Sequence, residues 1–245
     1  MKRKIIHFVY RFRNTFLSML LLVLLVSCLN DDDNNNNQPI EVAYVSIYHA
    51  SPDAPSFNIF VDGRVINRNS FGYSSYSGYL NFFTGNREIQ FKEVNASNAL
   101  IDTTFDFQNG KVYSLFAINR LSNIEALLVV DSAATPATGK AMVRFVNLSP
   151  DAPAFDITLE GQAGAPLFAD QSFKQSSEFK EIDAGTYTFD VKDAGASNVV
   201  LSSGDVVLRA GGFYTIITRG FTNPPQGNTN ILSVEVLDST YSIIR

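Results

Sequence analysis

The chain has 245 residues, 45% of them hydrophobic and 18% charged, a balance that excludes a disordered or fibrous protein over most of its length. One Cys and two His exclude a Cys/His metal centre. The net charge is −5, and it becomes −10 (14 basic against 24 acidic residues) once the five basic residues of positions 1–27 are set aside, which excludes a phosphate-binding nucleic-acid surface.

Residues 1–16 are basic and mixed, Leu17–Val26 is a near-unbroken apolar run, and Ser27-Cys28 follows. This order predicts a secretory leader over 1–27. The apolar run is too short for a membrane span, because ten helical residues cover about 15 Å of a hydrocarbon core of about 30 Å. Leu25-Val26-Ser27-Cys28 resembles the bacterial lipobox, which implies cleavage before Cys28 and lipid attachment to its sulfur. The partner so implied is a membrane, held through acyl chains, and the compartment is the outer membrane, facing either the cell surface or the periplasm. Residues 28–39 (CLNDDDNNNNQP) have almost no apolar content and read as a flexible tether. Their triplet Asp31–Asp33 is either a solvated charge run or similar to the signals by which some bacteria export lipoproteins to the cell surface.

Beyond the tether the hydrophobic period is two. Tyr44–Tyr48, Phe57–Val61, Arg87–Phe91, Thr104–Phe107, Val112–Ile118 and Ile124–Val130 read as strands, punctuated by Asp62-Gly63, Thr84-Gly85-Asn86 and Asn109-Gly110. The pattern then recurs. The segment from Ala43 aligns with that from Ala141 at an offset of 98, Lys92–Asn98 with Lys192–Asn198 at 100, and Gly110 with Tyr113 matches Gly211 with Tyr214 at 101. The second set of strands is Met142–Val146, Phe155–Leu159, Thr186–Val191, Asp205–Arg209, Phe213–Ile217 and Ile231–Leu237. The fold class is therefore all-β, expected as two tandem immunoglobulin-like antiparallel β-sandwich domains over 40–133 and 140–245, joined by Ala133–Gly139. With one Cys there is no disulfide, so each core rests on Phe, Ile, Val and Leu packing.

Between the first two strands of each repeat stands the same corner, Ser51-Pro52-Asp53-Ala54-Pro55 and Ser149-Pro150-Asp151-Ala152-Pro153. Each Pro fixes φ and removes an N–H, while Ser and Asp cap nearby backbone donors. These stretches, with Val61-Asp62-Gly63 and Leu159-Glu160-Gly161 shortly after, resemble the bacterial domain of unknown function 4397, whose hallmark is His-Ala-Ser-Pro-Asp-Ala-Pro. The second repeat departs from it with Asn147 and Leu148 for His and Ala. The resemblance implies secreted or surface-attached β-sandwich modules without established enzymatic activity and with a role in adhesion.

Asp53 and Asp151 are expected to cap their turns, the alternative being weak calcium binding, although one carboxylate per corner supplies few of the oxygens calcium needs. No metal or cofactor is expected. His49 is the one histidine after the leader, so a hydrolase would have to run through it and Ser51. Without a nucleophile elbow, and with Asn147 in its place in the second repeat, a His hydrogen-bonded into the corner is the expected role. In Ser70–Phe83 the residues Tyr73, Tyr76 and Tyr79 recur among Ser and Gly, the mixture that recognition loops use; the alternative is a strand packing on its own sandwich. The function expected is thus a non-enzymatic envelope lipoprotein that binds a glycan or protein ligand or mediates adhesion, with a hydrolase or a structural scaffold as alternatives. Replacing Cys28 with Ala is expected to move the protein from the detergent phase to the aqueous phase or to stall its processing, as read by Triton partitioning and the mass of the N-terminal peptide.

Overall fold

The computed structural model describes residues 40–131, 135–162 and 164–240. Cys28 and the segments 1–27 and 28–39 lie outside the described residues. The first half contains β1 (Val42–His49), β2 (Phe57–Val61), β3 (Arg64–Val65), β4 (Tyr76–Phe83), β5 (Gly85–Glu93), β6 (Ala99–Phe107), β7 (Val112–Ile118) and β8 (Glu125–Val130). The second contains β9 (Lys140–Asn147), β10 (Phe155–Leu159), β11 (Phe168–Gln171), β12 (Lys180–Asp183), β13 (Gly185–Asp193), β14 (Val199–Leu208), β15 (Phe213–Arg219) and β16 (Ser233–Asp238). A short 3-10 turn at Leu121–Asn123 is the one helical element among the described residues.

The protein is all-β, with four four-stranded sheets in two groups, as two β-sandwiches require. In the first half β4-β1-β7-β8 faces β3-β2-β5-β6, and in the second β12-β9-β15-β16 faces β11-β10-β13-β14. Each chain half changes sheet at its Ser-Pro-Asp-Ala-Pro corner. Alternate residues of facing sheets fill the cores, with Val45, Ile47, Phe57, Ile59, Phe91 and Leu115 in the first and Val143, Phe145, Phe155, Ile157, Phe189 and Ile216 in the second.

Two features depart from the expected antiparallel sandwich. β1 runs parallel to β7, and β9 to β15, because the first strand of each half is inserted between β4 and β7 or between β12 and β15. The chain has crossed to the opposite sheet and back between these two strands, so no hairpin constrains their direction. The second departure is burial. Alternation predicts one wet face for Val112–Ile118, yet all seven residues are buried. The reason is that the β4-β1-β7-β8 sheet has its back against the β12-β9-β15-β16 sheet, where Tyr48, Phe116 and Ile118 pack with Val146, Leu148, Ile217 and Leu237.

A polar cluster lies within this apolar seam. Arg144 of β9 and Asp131, which follows β8, are 2.7 Å apart with side chains each 1% exposed. Arg144 also donates to the Ser114 hydroxyl at 2.8 Å and the Thr215 hydroxyl at 3.1 Å. The other Asp131 oxygen accepts from Ser114 at 2.9 Å and from Tyr79 at 2.5 Å, and Ser239 donates to Thr215 at 3.0 Å. A buried pair withstands its desolvation cost only when such partners saturate it.

Arg144→Met strands Asp131 in this seam. The variant is expected to lose about 3–5 kcal/mol in urea unfolding, and Arg144→Met combined with Asp131→Leu to recover most of that loss.

Candidate functional site

The two corners are built alike. The Ser51 hydroxyl donates to the Asn119 carbonyl at 2.6 Å and the Asp53 carboxylate accepts the Leu121 amide at 2.7 Å. In the second half Ser149 donates to the Gly220 carbonyl at 2.7 Å, and Asp151 accepts the Thr222 and Asn223 amides at 2.8 and 3.1 Å. Each aspartate thus ties its corner to the loop after β7 or β15. The corners also meet across the halves: the Pro52 carbonyl accepts from the Asn228 and Asn230 side chains, and Arg120 reaches Asp151 at 3.4 Å while lying 4.5 Å from the Phe221 ring centre. Among the described residues no cluster of three or more His, Cys, Asp or Glu forms a metal cage.

His49 ends β1 with no exposed surface. Its Nε2–H donates to the Pro55 carbonyl at 3.1 Å, its ring stacks on Phe57 at 4.3 Å, and Nδ1 has no hydrogen-bond partner among the described residues. Burial pushes its pKa down to about 4. Asn147 makes the equivalent bond to the Pro153 carbonyl at 3.2 Å, and its oxygen accepts from Thr218 and the Ser149 amide. The Ser51 hydroxyl, directed at Asn119, is engaged away from the imidazole.

The tyrosine stretch does not stand out as a free recognition loop. Tyr76 and Tyr79 belong to β4, which Ser and Gly disguise in the sequence: Ser74 and Gly78 have φ of 63° and 65°, and the register with β1 shifts between Ser46 and Tyr48. All three rings are half-buried and directed along the seam. Tyr73 lies beneath the Arg219 guanidinium at 5.0 Å, Tyr76 is 6.3 Å from the Tyr48 ring, and Tyr79 reaches Asp131. Desolvation raises the pKa of each phenol, so all three stay neutral. These contacts belong to the seam between the halves rather than to the first half's own core.

The open concavity of the first half lies elsewhere, between the edge strands β3 and β4. It encloses about 530 Å³ and is lined by Val61, Ile66, Leu80 and Phe82 with Arg64 and Arg87. A second hollow of about 340 Å³ shares Ile66 and Leu80 and leads toward Ile47 and Ile59 of the core. The two-residue turn Asp62-Gly63, with φ of 49° and 74°, turns β2 into β3. Arg87 braces one end, donating to Asp62 at 3.0 Å, to the Phe83 carbonyl at 3.2 Å and to the Thr84 carbonyl, and it holds the Asp62 carboxyl below its usual range. Arg64 and Phe83 stand exposed at the rim, Phe83 by 64%, and Arg68 is exposed beside the second hollow.

The second half closes the same place. Register equates Leu80, opposite Val45, with Lys180, opposite Val143; likewise Phe83 corresponds to Asp183. Lys180 spans the gap to the Leu167 carbonyl at 2.7 Å and covers the Phe168 ring at 5.3 Å, while Asp183 pairs with Lys140 at 2.8 Å. Sequence reasoning missed the cleft because its walls come from two sheet edges that only the fold brings together. The swap of Leu80 for Lys180 was the available signal.

A domain of the family described as "Domain of unknown function (DUF4397)" is found at residues 43–158. The DUF4397 match runs from β1 through β10, so it includes the first corner, the cleft and the second corner. No match is found among curated proteins. Among solved structures, the Bacillus anthracis TIE protein is 12% identical over 74% of this chain and 34% of its own, with a TM-score of 0.23. This chain therefore spans about a third of that protein. A streptococcal virulence factor described as binding alpha-glucan is 10% identical over 70% of this chain and 92% of its own, with a TM-score of 0.24. A leucine-rich repeat protein from Bacteroides thetaiotaomicron is 10% identical over 71% and 25%, with a TM-score of 0.17. Likenesses of this size carry no argument about a ligand.

His49 gives the DUF4397 domain an acid-sensitive point. The unfolded histidine gains its proton near pH 6.5, whereas the folded one stays neutral down to about pH 4. Its contribution is therefore full above pH 6.5 and lost as pH falls toward 4, by up to about 3 kcal/mol. His49→Asn, which installs the amide used in the second half, is expected to flatten this part of the stability profile between pH 6.5 and 4 in urea titrations relative to the parent.

Proposed function

We propose that the protein is a lipid-anchored envelope protein, attached through Cys28, that binds an extracytoplasmic ligand without catalysis. The second half is taken as a further copy of the DUF4397 family: the strand order and the Ser-Pro-Asp-Ala-Pro corner recur there, with Asn147 doing the work of His49. The ligand site is the β3–β4 cleft of the first half. The observation that carries this reading is the contrast between halves, in which the same gap is open over Leu80 and bridged by Lys180. Rigid walls with an apolar floor and a few charged groups are the usual form of a binding site. Non-catalytic action is supported by the engagement of His49 with Pro55 and of Ser51 with Asn119. The tyrosines then brace the second half behind the site.

A panel of glycans and extracellular-matrix proteins, probed with the purified protein and with Leu80→Lys, tests this. At least one ligand is expected to bind the parent and to lose about tenfold or more in affinity with Leu80→Lys, a cost of about 1.4 kcal/mol. Equal binding by both, with circular dichroism unchanged, would leave the envelope scaffold as the better reading.

A further inference from the structure

We infer that the β3–β4 cleft takes an extended peptide segment in which apolar and acidic residues alternate; this rests on the cleft being the ligand site. Three observations carry it. The first is backbone geometry. Tyr44 bonds toward β7 through its amide, so Ala43 and Val45 bond toward β4, and the pairs Ala43–Phe82 and Val45–Leu80 are the hydrogen-bonded ones. The N–H and C=O of Asn81 therefore point out of the sheet at its edge, where an added strand would meet them. The second is the floor. Leu80 and Phe82 are two residues apart on one face of β4, beside Ile66, which matches the two-residue period of an extended chain and offers little hydrogen bonding to a sugar.

The third observation is charge. Arg64 at the rim and Arg68 beside the adjoining hollow are exposed, and neither forms an ion pair among the described residues, in a chain with a net charge of −5. Arg87, by contrast, is occupied by Asp62. These two exposed guanidiniums beside an apolar trough fit carboxylates that project from a strand whose other face is apolar. In the second half Lys180 and Asp183 replace Leu80 and Phe83, so that half lacks Leu80's part of the floor and the exposed aromatic.

The test is fluorescence anisotropy with three labelled peptides of about ten residues: alternating Val and Glu, alternating Val and Lys, and alternating Ser and Glu. The Val/Glu peptide is expected to bind the purified protein, and the other two at least about tenfold more weakly. Leu80→Lys and, separately, the surface pair Arg64→Glu with Arg68→Glu are each expected to weaken Val/Glu binding about tenfold. The arginine pair is exposed, so a folding defect in Leu80→Lys leaves a second reading of the site. Equal binding of Val/Glu and Ser/Glu, or Val/Glu binding unaffected by both variants, would overturn the proposal. If a glycan from the panel binds in a Leu80-dependent manner while no peptide does, the peptide class is wrong and the cleft remains a ligand site. If nothing binds, both fall.

Discussion

The docking of the two halves is organised around one ion pair that their sheets bury between them. Arg144 and Asp131 come from opposite halves and each is 1% exposed, so neither half can keep its own charge dry without the other. The equivalent positions show how this arose from a repeated sequence. Arg144 corresponds to Ser46, Thr215 to Ser114, and Ser239 to Asp131, the last two matched by amides that donate to the carbonyls of Phe213 and Val112. One half supplies the base and the other the acid at non-equivalent positions. The two sheets therefore meet through unlike polar groups at equivalent positions rather than through two copies of the same ones.

The corners add a second, more exposed layer of the same logic. Their internal bonds are conserved between halves down to the carbonyl of the last Pro, which His49 and Asn147 both satisfy. Their external bonds differ. Pro52 accepts two asparagine side chains from the second half, while Asp151 receives Arg120 from the first. The half-buried pair Arg120–Asp151 is more open to water than its buried counterpart and contributes less, because water screens it.

Strand identity was legible wherever a residue pattern had one cause. Phe57–Val61 and Arg87–Phe91 alternate because one face meets a core, and both fall in strands. The pattern misled where two causes overlapped. Val112–Ile118 is apolar or small throughout because it has a core on one face and a partner sheet on the other, which local periodicity cannot distinguish from a single buried strand. β4 was hidden because its Tyr, Ser and Gly residues serve a bulged edge and a polar cluster rather than an alternating core. Of the candidate residues, the corner Ser and Asp could be read because capping is local. The contacts of Tyr73, Tyr76 and Tyr79 depend on Arg219, Tyr48 and Asp131, the first of which lies well over a hundred residues away. The cleft depends on which of two aligned gaps a single Lys happens to fill.

The shared seam also orders events in time. During synthesis the first half emerges complete while β9, β15 and β16 are still to come. Until they arrive, the rear of its β4-β1-β7-β8 sheet shows Tyr48, Phe116 and Ile118 to water, and Asp131 has hydration in place of Arg144. A first half lacking its partner sheet would therefore carry an exposed apolar face, and two such halves on neighbouring chains would present identical faces to each other. Charge then separates the two outcomes: the second half brings Arg144 to Asp131, whereas another first half would bring a second aspartate to the same spot.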